Sequence, residues 1–418
     1  MKGARTFVIV GAGLAGAKAA QTLRDDGFDG DVVLLGEEPQ PPYERPPLSK
    51  GLLLGTAERA SVFVQEPAWY ADHDVDLRTG VRVAAIDRGT RQVELADGHR
   101  IGYDALLLAT GSTPRPLDVP GAHLDGVLQL RTLPDSDRIA AALVDGAHLV
   151  IIGAGWIGLE VAAAARQRGV TVTVVERSEL PLLRVLGPGI ARVFADLHRD
   201  HGVAFRFGAG VREFRGAGRV SSVLLQDGTE LPADAVIVGV GVRPNVELAE
   251  KAGLAVGNGV VVDQRLRSSD PRIYAAGDVA NAYHPLYGTH VRVEHWATAL
   301  HSGPAAARSM LGSEVGYDRL PYFYTDQYDL GMEYTGYIPA GGYDTVVVRG
   351  DLAQREFIVF WIAGGRVLAG MNVNVWDVTA DVQDLIRGTQ RVDLDRLADP
   401  GVALADLTPA GVRSAARP

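Results

Sequence analysis

Cysteine is absent from this chain. No disulfide can brace it or cycle through redox states, no thiolate can act as nucleophile or charge-transfer donor, and no cysteine-ligated iron–sulfur cluster can form. Any electrons it handles must move through bound cofactors. Long apolar runs are also missing: none reaches the roughly 18–20 residues of a membrane span. Excess positive charge is missing too, and a net charge of −10 argues against nonspecific binding to nucleic acid or anionic membrane. The start, Met1-Lys2-Gly3-Ala4-Arg5 before apolar residues, has the outline of a secretory leader. The apolar segment is short and glycine interrupts it, so a buried first strand is predicted and the cytoplasm is the default location.

Glycine, by contrast, is abundant. With 50 glycines in 418 residues, the chain exceeds the usual share, and its length suggests two to three domains. The glycines cluster informatively at Gly153-Ala154-Gly155-Trp156-Ile157-Gly158. An apolar run, His148 to Ile152, precedes them. Helix formers from Leu159 to Ala165 follow, and then Val170 to Val175 reads as a second strand ending on Glu176. Strand, glycine turn, helix, strand, acid is the dinucleotide-binding fingerprint. The first Gly permits a tight turn, the second lets the backbone approach a pyrophosphate, and the third lets helix and sheet close up. The helix N-terminus then offers free N–H groups to the phosphates.

The same device occurs at the N-terminus. Thr6 to Val10 leads into Gly11-Ala12-Gly13-Leu14-Ala15-Gly16, a helical stretch runs to Leu23, and Asp31 to Leu35 precedes Gly36-Glu37. Two complete units predict two dinucleotides. Each unit continues in the same way, with an antiparallel inset (turns at Asp97-Gly98 and Asp227-Gly228) and an apolar strand ending in glycine, at Gly111 and Gly241. Residues 75–108 are assigned to the first inset and its return strand. Ser112 to Pro116 and Val242 to Asn245 read as linkers crossing between the units. The predicted fold class is α/β, with two Rossmann-like dinucleotide-binding domains and a C-terminal α+β domain. The expected boundaries are 1–113 and 243–317 for the first domain in two parts, 114–242 for the second, and 318–418 for the last.

Three further stretches bear on chemistry. Pro39 to Lys50 holds five prolines and must be stiff. Composition alone makes it an ordinary rigid loop, but it leaves the carboxyl end of a strand, where open α/β sheets bind ligands. Asp278, in Tyr274-Ala275-Ala276-Gly277-Asp278, suits ribityl or ribose hydroxyls; on residue type alone the stronger reading is a simple helix N-cap. Glu160 reads either as a site carboxylate or as first-turn charge on a helix.

Taken together, the Gly11–Gly16 turn, Tyr43-Glu44-Arg45-Pro46-Pro47-Leu48-Ser49-Lys50, Ala109-Thr110-Gly111, Gly153–Gly158 with Glu160, the Gly277-Asp278 stretch and Glu294-His295-Trp296 carry a resemblance over nearly the whole chain. The sequence resembles the FAD-dependent ferredoxin, putidaredoxin and rubredoxin reductases of bacterial oxygenase systems, relatives of glutathione reductase in fold. The Pro-Pro-Leu-Ser-Lys segment is the most specific part. The resemblance implies tightly bound FAD in the first unit and NADH in the second. Gly11, Gly13, Ala15 and Gly16 would hold the FAD pyrophosphate, Glu37 the adenosine ribose, and Val83 the adenine. Arg131, Asp278 and Trp296 would complete that site. Gly153, Gly155, Ile157, Gly158, Glu176 and Gly241 would line the nicotinamide nucleotide.

Lys50 is predicted to pair with Glu160 beside the flavin, as the catalytic pair, and no metal is expected. The implied partner is a ferredoxin-type iron–sulfur protein, with monomer and homodimer both open. An acidic chain needs a local basic patch for such a partner, and Arg292, Arg308, Arg349 and Arg366 are candidates. Departures fall at Tyr322-Phe323-Tyr324, where many relatives carry a tryptophan pair, and at His301 and Pro304. Alternative readings are an NADH oxidase and a redox sensor resembling apoptosis-inducing factor.

Overall fold

The computed structural model describes residues 5–314, 316–339 and 342–408. It divides into two compact units, one of residues 1–45, 59–113 and 242–321, the other of residues 46–58, 114–241 and 322–418.

In the first unit the apolar runs become a five-stranded parallel sheet. Its order is Ile273–Ala275, Ala105–Leu108, Thr6–Val10, Asp31–Leu35, Val75–Arg78. Strands buried on both faces read as unbroken hydrophobic runs, and Ala105–Leu108 is buried at all four positions. The inset is Val83–Asp87, Gln92–Leu95 and Arg100–Gly102, antiparallel throughout. Two expectations need correction. Val75–Arg78 belongs to the parallel sheet, not to the inset. The stretch after Asp278, which its polar residues mark as a loop, is instead strand: Ala280–His284 and Thr289–Val291 belong to a second, four-stranded sheet.

The second unit repeats the plan. Its parallel sheet runs Ala204–Phe207, Thr171–Glu176, His148–Ile152, Ala235–Val238, Val127–Leu128, with a three-stranded inset from Val211 to Pro232. This unit also contains the C-terminal antiparallel sheet, ordered Tyr322–Gln327, Leu330–Gly336, Arg366–Val373, Glu356–Ala363, Thr345–Asp351, and the helix Thr379–Arg387. Its aromatic core is continuous. The Trp156 ring lies 5.4 Å from Phe194 and 5.0 Å from Phe323, Phe323 lies 5.1 Å from Tyr334, and Tyr334 lies 5.5 Å from Trp361, which is fully buried. Such pairs contribute about 0.5–1.5 kcal/mol each beyond their burial. Among the described residues, no helix is long and apolar enough to cross a membrane.

Small residues set the closest approaches. The helix Trp296–Met310 lies against Leu14–Asp25 so tightly that a Cβ on Gly303 would stand 2.2 Å from the Ala15 carbonyl oxygen. That contact is backbone, and only helix separation can relieve it. Gly303→Ala is therefore expected to cost about 1–3 kcal/mol, measured as a lower urea midpoint. Gly189, exposed on the helix Leu183–Asp200 with nothing near its missing Cβ, is the opposite case. Gly189→Ala is expected to stabilise by about 0.5–1 kcal/mol. Equal midpoints for the two variants would show that helix spacing is not what Gly303 sets.

Candidate functional site

Both glycine turns follow one physical rule. Gly11 and Gly153 have φ of +113° and +101°, and a Cβ on them would lie 2.1 Å from Ala109 O and 2.4 Å from Gly239 O. Only glycine can turn there. Gly16 and Gly158 would place a Cβ 2.0 and 2.2 Å from the carbonyl oxygens of Gly11 and Gly153, so helix and turn touch through backbone. Gly13 and Gly155 are different: nothing lies within 4 Å of the absent Cβ. Each forms the N-cap of its helix, Leu14–Asp25 or Trp156–Gln167, and neither helix has a side-chain cap. Free N–H groups beside open backbone are what a pyrophosphate requires, so both cradles fit a dinucleotide.

The acids at the second strands differ. Glu37 is exposed, 3.8 Å from an equally exposed Arg82. Glu176 is pinned: its carboxylate accepts from Ala154 N at 2.9 Å and from Ser178 N at 2.8 Å, and so faces the glycine turn.

Around the first cradle, Ala15 is buried, and a Cβ on Gly277 would stand 3.1 Å from its side chain, bringing the Gly277–Asp278 turn to that helix start. Asp278 lies within the 3-10 turn Gly277–Val279 and does not cap the helix Trp296–Met310, whose N-cap is His295. The simple N-cap reading therefore fails. Burial, opposed by Asp278, lowers the His295 pKa to about 4. Val83 opens the inset, buried and paired with Leu95. Missed by sequence reasoning is a cluster in the proline segment: Glu38 accepts from Arg45 at 2.8 Å and from the Tyr43 hydroxyl, and Arg45 sits over the Tyr43 ring.

The second unit holds the remaining residues. Ile157 is 46% exposed at the start of its helix, an apolar side chain left open for a ligand. Gly241, φ +99°, ends the sheet by accepting from Arg115 N. Arg131 lies here too, before a helix whose capping box joins Thr132 and Asp135. The stiff segment Pro46–Ser49 delivers Lys50, whose Nζ is 2.6 Å from Glu160 Oε1. Glu160 is only 4% exposed. Its carboxylate also accepts from the Ser49 hydroxyl and, at 2.6 Å, from the Thr325 hydroxyl. The Tyr324 ring stands 5.6 Å from Lys50 Nζ. Ser49 and Thr325 were not foreseen. Ser49 is adjacent to Lys50, and Thr325 alternates with exposed Asp326 along an aromatic strand.

The four candidate arginines divide between the units, Arg292 and Arg308 in the first and Arg349 and Arg366 in the second. Arg292 is paired with Glu294 at 2.5 Å, Arg308 with Asp26 at 3.0 Å, and Arg349 donates to the carbonyls of Leu397, Asp399, Pro400 and Val402. Arg308 and Arg366 are exposed, Arg366 at a strand start.

A family model described as pyridine nucleotide-disulphide oxidoreductase matches residues 5–303, and one described as reductase C-terminal matches residues 322–408. Rhodocoxin reductase of Rhodococcus erythropolis is 42% identical over 370 residues, 88% of this chain and 86% of the relative. The ferredoxin–NAD(+) reductase component of the anthranilate 1,2-dioxygenase system of Burkholderia cepacia is 41% identical over 402 residues, 95% of this chain and 98% of the relative. Among solved structures, that of the covalent putidaredoxin reductase–putidaredoxin complex superposes with a TM-score of 0.93 at 39% identity, over 97% of this chain and 98% of that one. With both nucleotide cradles intact and both family models satisfied, the chain belongs to the pyridine nucleotide-disulphide oxidoreductases that carry a reductase C-terminal domain.

Proposed function

We propose that this protein is an NADH-dependent, FAD-containing reductase that passes electrons to a ferredoxin-type iron–sulfur protein serving an oxygenase. The observation that carries the reading is the pair of open, uncapped glycine cradles in a chain with no cysteine. One relative's name joins a ferredoxin, NAD(+) and a dioxygenase, and the solved neighbour is a covalent complex with putidaredoxin. When bound, FAD accepts a hydride from NADH and releases electrons one at a time, which is the chemistry a protein without thiols cannot supply itself. The reaction is placed in the cytoplasm, with a ferredoxin-type protein as partner and either a monomer or a homodimer as the working form.

The chain's own residues bind and orient. Gly11, Gly13, Ala15 and Gly16 would hold the FAD pyrophosphate, with Glu37, Val83, Asp278 and Trp296 serving the rest of that cofactor. Gly153, Gly155 and Gly158 would hold the NADH pyrophosphate, with Ile157 and Gly241 lining the same nucleotide. Lys50 and Glu160 serve the nicotinamide end. The short bonds of Glu160 keep its charge fixed while Lys50 stays 17% exposed and able to reach outward.

Glu176 selects NADH. Its carboxylate accepts from ribose hydroxyls and repels a 2′-phosphate; like charges about 4 Å apart cost roughly 4 kcal/mol at an effective dielectric of about 20. That corresponds to nearly a thousandfold. Exposed Arg177 softens the preference.

Three outcomes test the reading. In anaerobic stopped flow, NADH is expected to bleach the bound flavin, and mixing with a ferredoxin is expected to restore it. Persistent bleaching with every ferredoxin, relieved only by oxygen, would indicate an oxidase. Lys50→Ala is expected to slow bleaching at least tenfold and to lower the urea midpoint, because it leaves a buried carboxylate without its cation, at a cost of about 3–5 kcal/mol. An unchanged bleaching rate removes Lys50 from the site. Glu176→Gln is expected to raise kcat/KM for NADPH relative to NADH by at least tenfold; comparable values for both nucleotides in the unaltered protein would refute the selection.

A further inference from the structure

Behind Glu160 lies a row of polar groups that neither cradle uses. Thr325 and Gln327 are each 1% exposed and His198 is fully buried. Buried polar side chains in an otherwise apolar core are costly unless every donor and acceptor is satisfied. Here they satisfy one another in a single file. Thr325 Oγ1 lies 2.6 Å from Glu160 Oε1, Gln327 Nε2 lies 3.2 Å from Thr325 Oγ1, His198 Nε2 lies 2.8 Å from Gln327 Oε1, and the Tyr328 hydroxyl lies 3.3 Å from His198 Nδ1.

The direction of each bond is forced from the Glu160 end. A carboxylate only accepts, so the one Thr325 proton must point at Glu160. The Thr325 oxygen can then only accept, and the Gln327 group that reaches it must be the NH2. The Gln327 carbonyl oxygen therefore faces His198, whose Nε2 must carry the proton. Burial, opposed by the Gln327 bond and helped by His201, lowers the His198 pKa to about 4, so the ring is neutral and its Nδ1 is bare. That nitrogen accepts from the Tyr328 hydroxyl. Every bond in the file donates towards Glu160.

We propose that His198 is a positioning residue for Glu160, acting through Gln327 and Thr325 along this one-way file of hydrogen bonds. The inference rests on the assignment of Glu160 to the nicotinamide end. Removing His198 frees the Gln327 amide to turn over. Its carbonyl then takes the Thr325 proton, and Glu160 loses a donor. The far end is held mechanically. Tyr328 occupies the hairpin turn with φ of +57°, and its ring stacks on His201 at 3.7 Å.

Other ionisable groups are accounted for. Lys50 and Ser49 face Glu160 from the proline segment, and Tyr324 and Asp326 share the Thr325 strand; desolvation, opposed by Lys50 and reinforced by Glu160, raises the Asp326 carboxyl. At the other end His201 and Tyr328 face His198, and Arg166 acts on Tyr328.

The test uses the flavin-loaded protein with 13C-carboxyl glutamate and 15N histidine, Glu160 being assigned through Glu160→Gln. In the unaltered protein His198 is expected as the neutral Nε2–H tautomer throughout pH 6–8. Thr325→Val is expected to move the Glu160 titration midpoint up by about one pH unit, since a carboxylate that loses a donor protonates more readily, and Thr325→Ser is expected to restore it. His198→Leu is expected to give a shift in the same direction, and adding Thr325→Val to it is expected to give no more than Thr325→Val alone. Gln327→Met substitutes for His198→Leu if the latter fails to fold. An Nδ1–H tautomer, an unmoved midpoint in His198→Leu or Gln327→Met, or additive shifts would each overturn the proposal. The midpoint is read without turnover, so it stands apart from the NADH assignment. If the site reading holds as well, the acid limb of the bleaching rate moves with the NMR midpoint; a midpoint that moves while the rate profile does not would leave the file intact and remove Glu160 from the nicotinamide end.

Discussion

A carboxylate taken out of water must be compensated in full, and Glu160 is the point where that demand falls hardest in this chain. At 4% exposure it cannot rely on solvent. Its compensation comes from three sequence-distant places: the helix Trp156–Gln167 that carries it, the proline segment that supplies Ser49 and Lys50, and the C-terminal sheet that supplies Thr325. One buried charge thus ties together the nucleotide half and the C-terminal half of the second unit. It accounts for residues 46–58 belonging to that unit although the chain on either side belongs to the other. Leu53, fully buried, and the Ser136 hydroxyl bonded to the Leu48 carbonyl anchor the same segment by packing and by backbone. Prolines reduce the conformational entropy lost in holding Lys50 there.

The two cradles show the same economy of means applied to different ends. In both, glycine is required by contact at the first and third positions and by emptiness at the second. Each helix start forgoes the side-chain cap that would stabilise it by about 1 kcal/mol. Stability is withheld at the two open helix starts. The cradles diverge only at the acid. Glu37 is exposed beside Arg82, whereas Glu176 is locked to the turn by two backbone donors. A fixed carboxylate discriminates against a 2′-phosphate better than a mobile one, because it cannot swing away to relieve the repulsion.

Much of this was legible in the sequence, for identifiable reasons. Glycine turns between apolar runs are local patterns, and both cradles and their parallel strands follow from them. The helix Leu183–Asp200 was not foreseen, because Gly187 and Pro188 interrupt its period; Gly187 takes φ of +76° inside it. Strands Ala280–His284 and Thr289–Val291 escaped because their largely polar residues carry no apolar alternation. The Lys50–Glu160 pair spans 110 positions; beside the resemblance, the one local pointer to it was that both residues follow the carboxyl ends of strands. Thr325 and Gln327 left a weak trace, two polar residues spaced by two along an aromatic strand. Nothing in the sequence says whether such residues face water or core. The ion pairs of Arg292 and Arg308 were hidden for the same reason: charge is visible in a sequence, but its partners are not.

Burial of His198 also gives the file a single polarity. A histidine with an ordinary pKa would switch between neutral and charged near neutrality, and with it the Gln327 amide would lose its fixed orientation. Burial keeps His198 neutral down to about pH 4, so the file keeps one polarity wherever NADH chemistry runs. The same burial has a thermodynamic sign. A folded-state pKa below the unfolded value contributes stability above about pH 6.5, and that contribution is lost as pH falls towards 4. The chain thereby gives up acid tolerance in exchange for a Glu160 donor set that does not change with pH. In a protein without cysteine, that constancy rests on hydrogen bonds and on the Lys50 ion pair, with no thiolate to share the task.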